Sequence, residues 1–150
     1  YAGGDMDDPS YEKVSSGTTV HTEAIQLSFE PSVISYETLL EIFFATHDPT
    51  TKNQQGADIG TQYRSVIFYH NDTQKKQAED MIKKLEAEGS YKDPIVTEVV
   101  PIGKFYTAEE YHQQFYEKNQ AYPYCTVVIN PKLTKLLEKF RKHVKEEYQP

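Results

Sequence analysis

Three stretches of the chain set acids and phenols close together, two of them with glycines. The first joins Tyr11 to Ser16-Gly17-Thr18-Thr19-Val20-His21-Thr22-Glu23. The second runs Gly56-Ala57-Asp58-Ile59-Gly60-Thr61-Gln62-Tyr63-Arg64-Ser65, and the third is Ala108-Glu109-Glu110-Tyr111-His112-Gln113. The first two each combine a carboxylic acid and a tyrosine with a glycine-containing loop beside a strand end. Such a site places a carboxyl group and phenols around a small polar ligand atom, with the carboxyl able to give or take a proton. Each residue also has an ordinary reading. Glu23 at a strand entrance can be a solvated charge, and Asp58 a turn former. Tyr11 and Tyr63 can be core or rim aromatics, and His112 a hydrogen-bonded structural histidine. Cys125, the only cysteine, can be inert packing or a redox thiol.

Composition narrows the chemistry. The chain has 150 residues, a length that fits one domain with its own core. Mean hydropathy is -0.71, and no apolar run approaches the roughly 18–20 residues of a membrane span. A net charge of -7 argues against a phosphate-tracking nucleic-acid binder, which needs a basic face. A lone cysteine forms no intrachain disulfide and no cysteine-based zinc site, and the five histidines show no metal spacing. No metal, flavin or nucleotide site is expected, and a cytoplasmic location is the default. The first residue is Tyr1, so the chain is read as processed or as a piece of a longer one; no signal peptide is visible.

The elements that must position these residues follow from periodicity. Residues 1–22 read as extended or loop. Residues 24–29 alternate, with Ile25, Leu27 and Phe29 on one face, which predicts a half-buried strand entered at Glu23. Ser35 caps a helix whose apolar face is Tyr36, Leu39, Leu40, Phe43 and Phe44, and His47-Asp48-Pro49 ends it. A long polar loop follows over 48–62, of a length that is often functional. A strand is predicted at 63–69. A helix capped within Asn71-Asp72-Thr73 comes next, burying Ala78, Met81, Ile82 and Leu85 and stopping at Gly89. A third strand covers Ile95–Val100. Thr107-Ala108-Glu109-Glu110 reads as a capping box opening another helix. Residues 119–129 are irregular, and Asn130-Pro131 starts a last helix that buries Leu133, Leu136, Leu137, Phe140 and Val144. The sum is a single α+β domain over residues 1–150, a small mixed sheet covered by helices. Three strands make a thin sheet, and a fourth is expected upstream of Tyr1.

In order and spacing, these motifs resemble one family. Tyr1-Ala2-Gly3-Gly4, Pro9-Ser10-Tyr11-Glu12, Ser16-Gly17-Thr18-Thr19, His21, Glu23, Val33-Ile34-Ser35-Tyr36-Glu37 and His47-Asp48-Pro49-Thr50 carry the first half of the match. Gly60-Thr61-Gln62-Tyr63-Arg64-Ser65 and Glu109-Glu110-Tyr111-His112-Gln113 carry the second. Together they are similar to the A-class methionine sulfoxide reductases, from Tyr1 to about Ile129.

The resemblance implies a ferredoxin-like core and thiol-dependent reduction of methionine (S)-sulfoxide, free or in proteins, a protein-repair activity under oxidative stress. A cysteine thiolate attacks the sulfoxide sulfur and becomes a sulfenic acid, methionine leaves, and thiols, usually ending with thioredoxin, regenerate the cysteine. By the same resemblance Glu23 is the acid, Tyr11 and Tyr63 hold the sulfoxide oxygen, and Asp58 orders the site. Arg64 and His112 are supporting residues, and Cys125 is a candidate resolving thiol.

Two departures stand out. The family's Gly-Cys-Phe-Trp nucleophile motif is absent, as is any tryptophan, so the nucleophile and the missing strand are expected in a segment before Tyr1. Val20 stands where the family frequently has glycine. The alternatives are a module that binds oxidised methionine without reducing it, and a relocated nucleophile at Cys125, which would have to lie near Glu23.

Overall fold

The structure, a computed structural model, describes residues 1–149. The chain opens with Tyr1-Ala2 laid between two distant segments. Ala2 bridges antiparallel to both Thr22 and Phe105, and Tyr1 exchanges backbone hydrogen bonds with Tyr106 at 2.7 and 2.9 Å. Both residues are buried. A short helix, α1 (Tyr11–Ser15), follows where a loop was expected, anchored by the buried Val14.

The extended segment at 24–29 is present in outline but is not a strand. No backbone ladder forms along it, and Ile25 is 83% and Leu27 59% exposed. Alternation marks which side chains share a face, but a strand also needs a hydrogen-bonding neighbour, and among the described residues none lies alongside. Only Phe29 of the apolar trio is partly covered, its ring stacked on Tyr36 at 6.3 Å.

The core forms as the periodicity predicts. Helix α2 (Tyr36–Thr46) is capped by Ser35, whose Oγ accepts the Thr38 N–H at 3.0 Å, and ends at His47. Helix α3 (Asp72–Ala87) is capped by Asn71, whose Oδ1 accepts the Gln74 N–H at 2.9 Å. It stops at Gly89, where the Ser90 N–H returns to the Leu85 carbonyl. Between the two helices the long polar loop contains a tight hairpin, β1 (Gln54–Gln55) and β2 (Asp58–Ile59), and then a 3-10 turn at Thr61–Tyr63. That turn displaces the first residues of the expected strand, so β3 spans Val66–Tyr69. It pairs in parallel with β4 (Glu98–Pro101), with α3 as the crossover, in the register Val66↔Glu98 to Tyr69↔Pro101. Leu40, Phe44, Ile67, Ala78 and Met81 make the buried centre, with Phe43, Ile82, Leu85 and Val99 packed around it. Burial on this scale, at about 25 cal/mol per Å² of apolar surface, is what holds so small a sheet.

The C-terminal third departs most from expectation. The capping box at Thr107–Glu110 opens no continuous helix. Glu110–His112 is a 3-10 turn, Gln114 takes a left-handed conformation (φ 54°), and α4 is only Phe115–Lys118. No side chain caps the turn, and Glu110, the acid of the box, pairs instead with Lys118 at 3.8 Å. A π-helical turn at Cys125–Ile129 then leads without a break into α5 (Asn130–Phe140). Its apolar stripe, Leu133, Leu136, Leu137 and Phe140, is half-buried, not fully buried, and so is Val144 beyond its end.

Candidate functional site

Glycine geometry shapes the wall of the site. A Cβ on Gly4 would lie 2.3 Å from the Thr19 carbonyl oxygen and 2.5 Å from the His21 nitrogen, so only glycine lets residues 2–4 run against 19–22. His21, buried beneath, accepts the Gly4 N–H at Nδ1 (3.0 Å) and donates from Nε2 to the Met6 carbonyl (2.8 Å). Next to it Val20 sits at φ 60°. A β-branched residue is a genuine outlier in the left-handed region, which glycine enters freely. Arg64 holds it there, its Nη1 donating to the Val20 carbonyl at 3.0 Å and to that of Thr61 at 2.9 Å. Val20→Gly is expected to raise stability by about 1 kcal/mol, the left-handed penalty less the entropy glycine adds to the unfolded chain. A denaturant titration checks it, and an unchanged or lower midpoint refutes the strain.

Four of the five sequence-nominated residues gather around one opening. The Glu23 N–H bonds the Gln62 carbonyl at 3.0 Å, which fixes the acid beside the 3-10 turn that carries Tyr63. Partial desolvation raises the Glu23 carboxyl above its ordinary value. His112 and the chain amino group act against this, and the nearby Asp58 adds to it. Tyr63 is raised too, by desolvation first and then by Glu23, Asp58 and Tyr11. Tyr11 enters from α1 with its ring 4.4 Å from that of His112 and 6.2 Å from that of Tyr111. Asp58 enters from β2 and accepts the Tyr124 hydroxyl at 3.1 Å. Arg64 reaches the Val20 and Thr61 carbonyls, and the His112 ring lies against that of Tyr11. The His112 Nε2 is buried without a hydrogen-bond partner among the described residues.

Cys125 behaves differently. It follows Tyr124 directly but is fully buried inside the π-helical turn, so its thiol has no face toward the opening.

Three residues at the site were given no role there by the sequence reading. Tyr124 is one of 12 tyrosines, and only its place before Cys125 marks it. Its hydroxyl is pushed up to about 12, by desolvation first and then by Asp58. Glu109 passes for an inner residue of the Thr107–Glu110 capping box. Tyr1 passes for a chain terminus, although its hydroxyl donates to Glu109 Oε2 at 2.6 Å. These contacts join residues 66 to 108 positions apart, which no local pattern encodes.

The profile of the peptide methionine sulfoxide reductase family matches residues 1–145. The chain is 53% identical over 140 residues to the peptide methionine sulfoxide reductase MsrA of Sulfolobus acidocaldarius, covering 93% of this chain and 78% of that protein. It is 50% identical over 145 residues to the protein of the same description from Saccharolobus solfataricus, covering 97% and 81%. Among solved structures it superposes on Mxr1 from Saccharomyces cerevisiae in reduced form with a TM-score of 0.75 and 41% identity, covering 80% of this chain and 68% of that one. On methionine sulfoxide reductase A of Corynebacterium diphtheriae the TM-score is 0.69 at 34% identity, covering 79% and 61%.

Proposed function

Since this chain belongs to the peptide methionine sulfoxide reductase family, we propose that its opening holds the oxygen of methionine (S)-sulfoxide, with Glu23 as the acid and Tyr11 and Tyr63 as oxygen-holding donors. The observation that carries the reading is the placement of Glu23, tied through its N–H to the Gln62 carbonyl at 3.0 Å beside the turn that carries Tyr63, with Asp58 and His112 near enough to act on its carboxyl. A thiolate attacks the sulfoxide sulfur. As that bond forms, the S–O bond polarises and negative charge grows on oxygen. Glu23 delivers a proton to that oxygen, and the two phenols stabilise the charge. The S–O bond to methionine then breaks, the hydroxyl oxygen bonds to the cysteine sulfur, and the sulfur–sulfur bond breaks with its electron pair returning to methionine, which leaves a cysteine sulfenic acid and free methionine. The cysteine is oxidised by two electrons, and the methionine sulfur is reduced by two.

Asp58, which accepts the Tyr124 hydroxyl, lies close enough to Glu23 to favour its protonated form. The orphaned His112 Nε2 supports the reading as well, because a buried polar atom without a partner costs about 1–3 kcal/mol until a ligand satisfies it. The attacking thiolate is assigned to a residue outside these 150, because the Gly-Cys-Phe-Trp motif of the family is absent here and the one thiol present lies within the π-helical turn. Cys125 is the resolving thiol that condenses with the sulfenic acid and releases water, which requires the π-helical turn to open. Thioredoxin is the proposed reductant of the resulting disulfide. No cofactor takes part in this scheme.

The test uses the complete protein, each epimer of methionine sulfoxide and a dithiol. The S epimer is reduced, and Tyr11→Phe and Tyr63→Phe each slow that step by about a hundredfold, the effect of removing one donor to a developing oxyanion. Full activity in both variants refutes the assignment of the phenols.

A further inference from the structure

Helix α1 is five residues long and has lost its own cap. Ser10 stands at the N-cap position with an extended backbone but makes no side-chain bond to the helix. The first helical N–H, that of Tyr11, is instead taken by Glu109 Oε1 at 2.8 Å, from 98 residues away. The other oxygen of the same carboxylate accepts the Tyr1 hydroxyl at 2.6 Å. Tyr1 is itself buried and tied by two backbone bonds to Tyr106, three residues before Glu109. One carboxylate therefore joins three segments: the chain start, the head of α1, and the stretch that leads on to His112. At the tail of α1, Gln62 Nε2 donates to the Ser15 carbonyl at 2.8 Å, and Val14 is buried beneath. The helix is pinned at both ends by side chains from elsewhere. Its first residue carries the ring that lies against His112.

We infer that Glu109 is a positioning residue for Tyr11: by accepting the Tyr11 N–H while anchored on the Tyr1 hydroxyl, it sets where the Tyr11 phenol stands in the opening. The inference rests on the reading of Tyr11 as an oxygen-holding phenol. Glu109 touches no substrate. It acts through the backbone of the residue that does, and displacements of about 1 Å are enough to cost large factors in rate.

The test is a double-mutant cycle in the complete protein, on reduction of methionine (S)-sulfoxide. E109A lowers kcat about tenfold with KM little changed. E109Q keeps an oxygen for the Tyr11 N–H and recovers most of the loss. In a Y11F background E109A costs no more than about twofold, because its effect runs through the Tyr11 hydroxyl. Equal losses from E109A in both backgrounds overturn the inference, as does a loss confined to KM. If Y11F alone leaves the rate unchanged, the reading of Tyr11 falls first and takes the inference with it, a result distinct from additivity.

Discussion

Glu23→Gln in the complete protein slows sulfoxide reduction by about a hundredfold to ten-thousandfold, the range expected when a positioned general acid is lost. Glutamine keeps the size of the side chain and the backbone bond to Gln62, so the fold is preserved while the transferable proton is removed. The pH profile supplies the sharper readout. Desolvation, reinforced by Asp58, raises the Glu23 carboxyl above its ordinary value of 4.5. The protonated form therefore persists to higher pH than an ordinary glutamic acid allows, and the rate falls as pH rises through the raised value. The variant lacks that limb. The same shift has a stability counterpart. The folded protein holds this proton more tightly than the unfolded chain, so the contribution is fully present below the unfolded pKa and is lost as pH rises through the folded one. A Glu23→Gln enzyme with the wild-type rate and the same falling limb shows that the acid is another group.

The 150-residue chain by itself, offered methionine (S)-sulfoxide and a dithiol, releases no methionine, whereas the complete protein turns over. The reaction needs a thiolate within about 3–3.5 Å of the sulfoxide sulfur. Cys125 is the only thiol here, and it is fully buried. Counting methionine formed by each protein decides the matter, with circular dichroism confirming that the shorter one is folded. Turnover by the chain alone, abolished by Cys125→Ser, makes Cys125 the nucleophile and overturns the assignment of the thiolate to a residue outside this chain.

What could be read from the sequence was whatever short-range patterns encode. Ser35 and Asn71 cap the helices they were expected to cap, and Ala78 and Met81 lie where a 3.6-residue period puts them. Gly89 stops α3 through a local backbone bond. The failures share a cause. Ile25, Leu27 and Phe29 alternate as a strand should, but pairing is a property of two segments and cannot be seen in one. Thr107 and Glu110 have the spacing of a capping box, but no cap bond forms there, and the neighbouring Glu109 carboxylate goes to Tyr1 and the Tyr11 amide. For the site, motif resemblance brought forward Glu23, Tyr11, Tyr63 and Asp58, which converge on one opening. Tyr124 and Glu109 became visible only once the chain was folded, because their partners are remote.

The bonds that frame the opening span 66, 98 and 108 residues of sequence. Contacts of such separation carry the largest loop-closure entropy, and they form after local helices have already gained what they can. Assembly of the opening is therefore a late event in folding, and its disassembly an early one in unfolding. On gentle heating or in mild denaturant the opening is lost while α2 and α3 still give a helical signal, because the bonds from Tyr1 and Tyr11 to Glu109 and from Tyr124 to Asp58 are all remote in sequence.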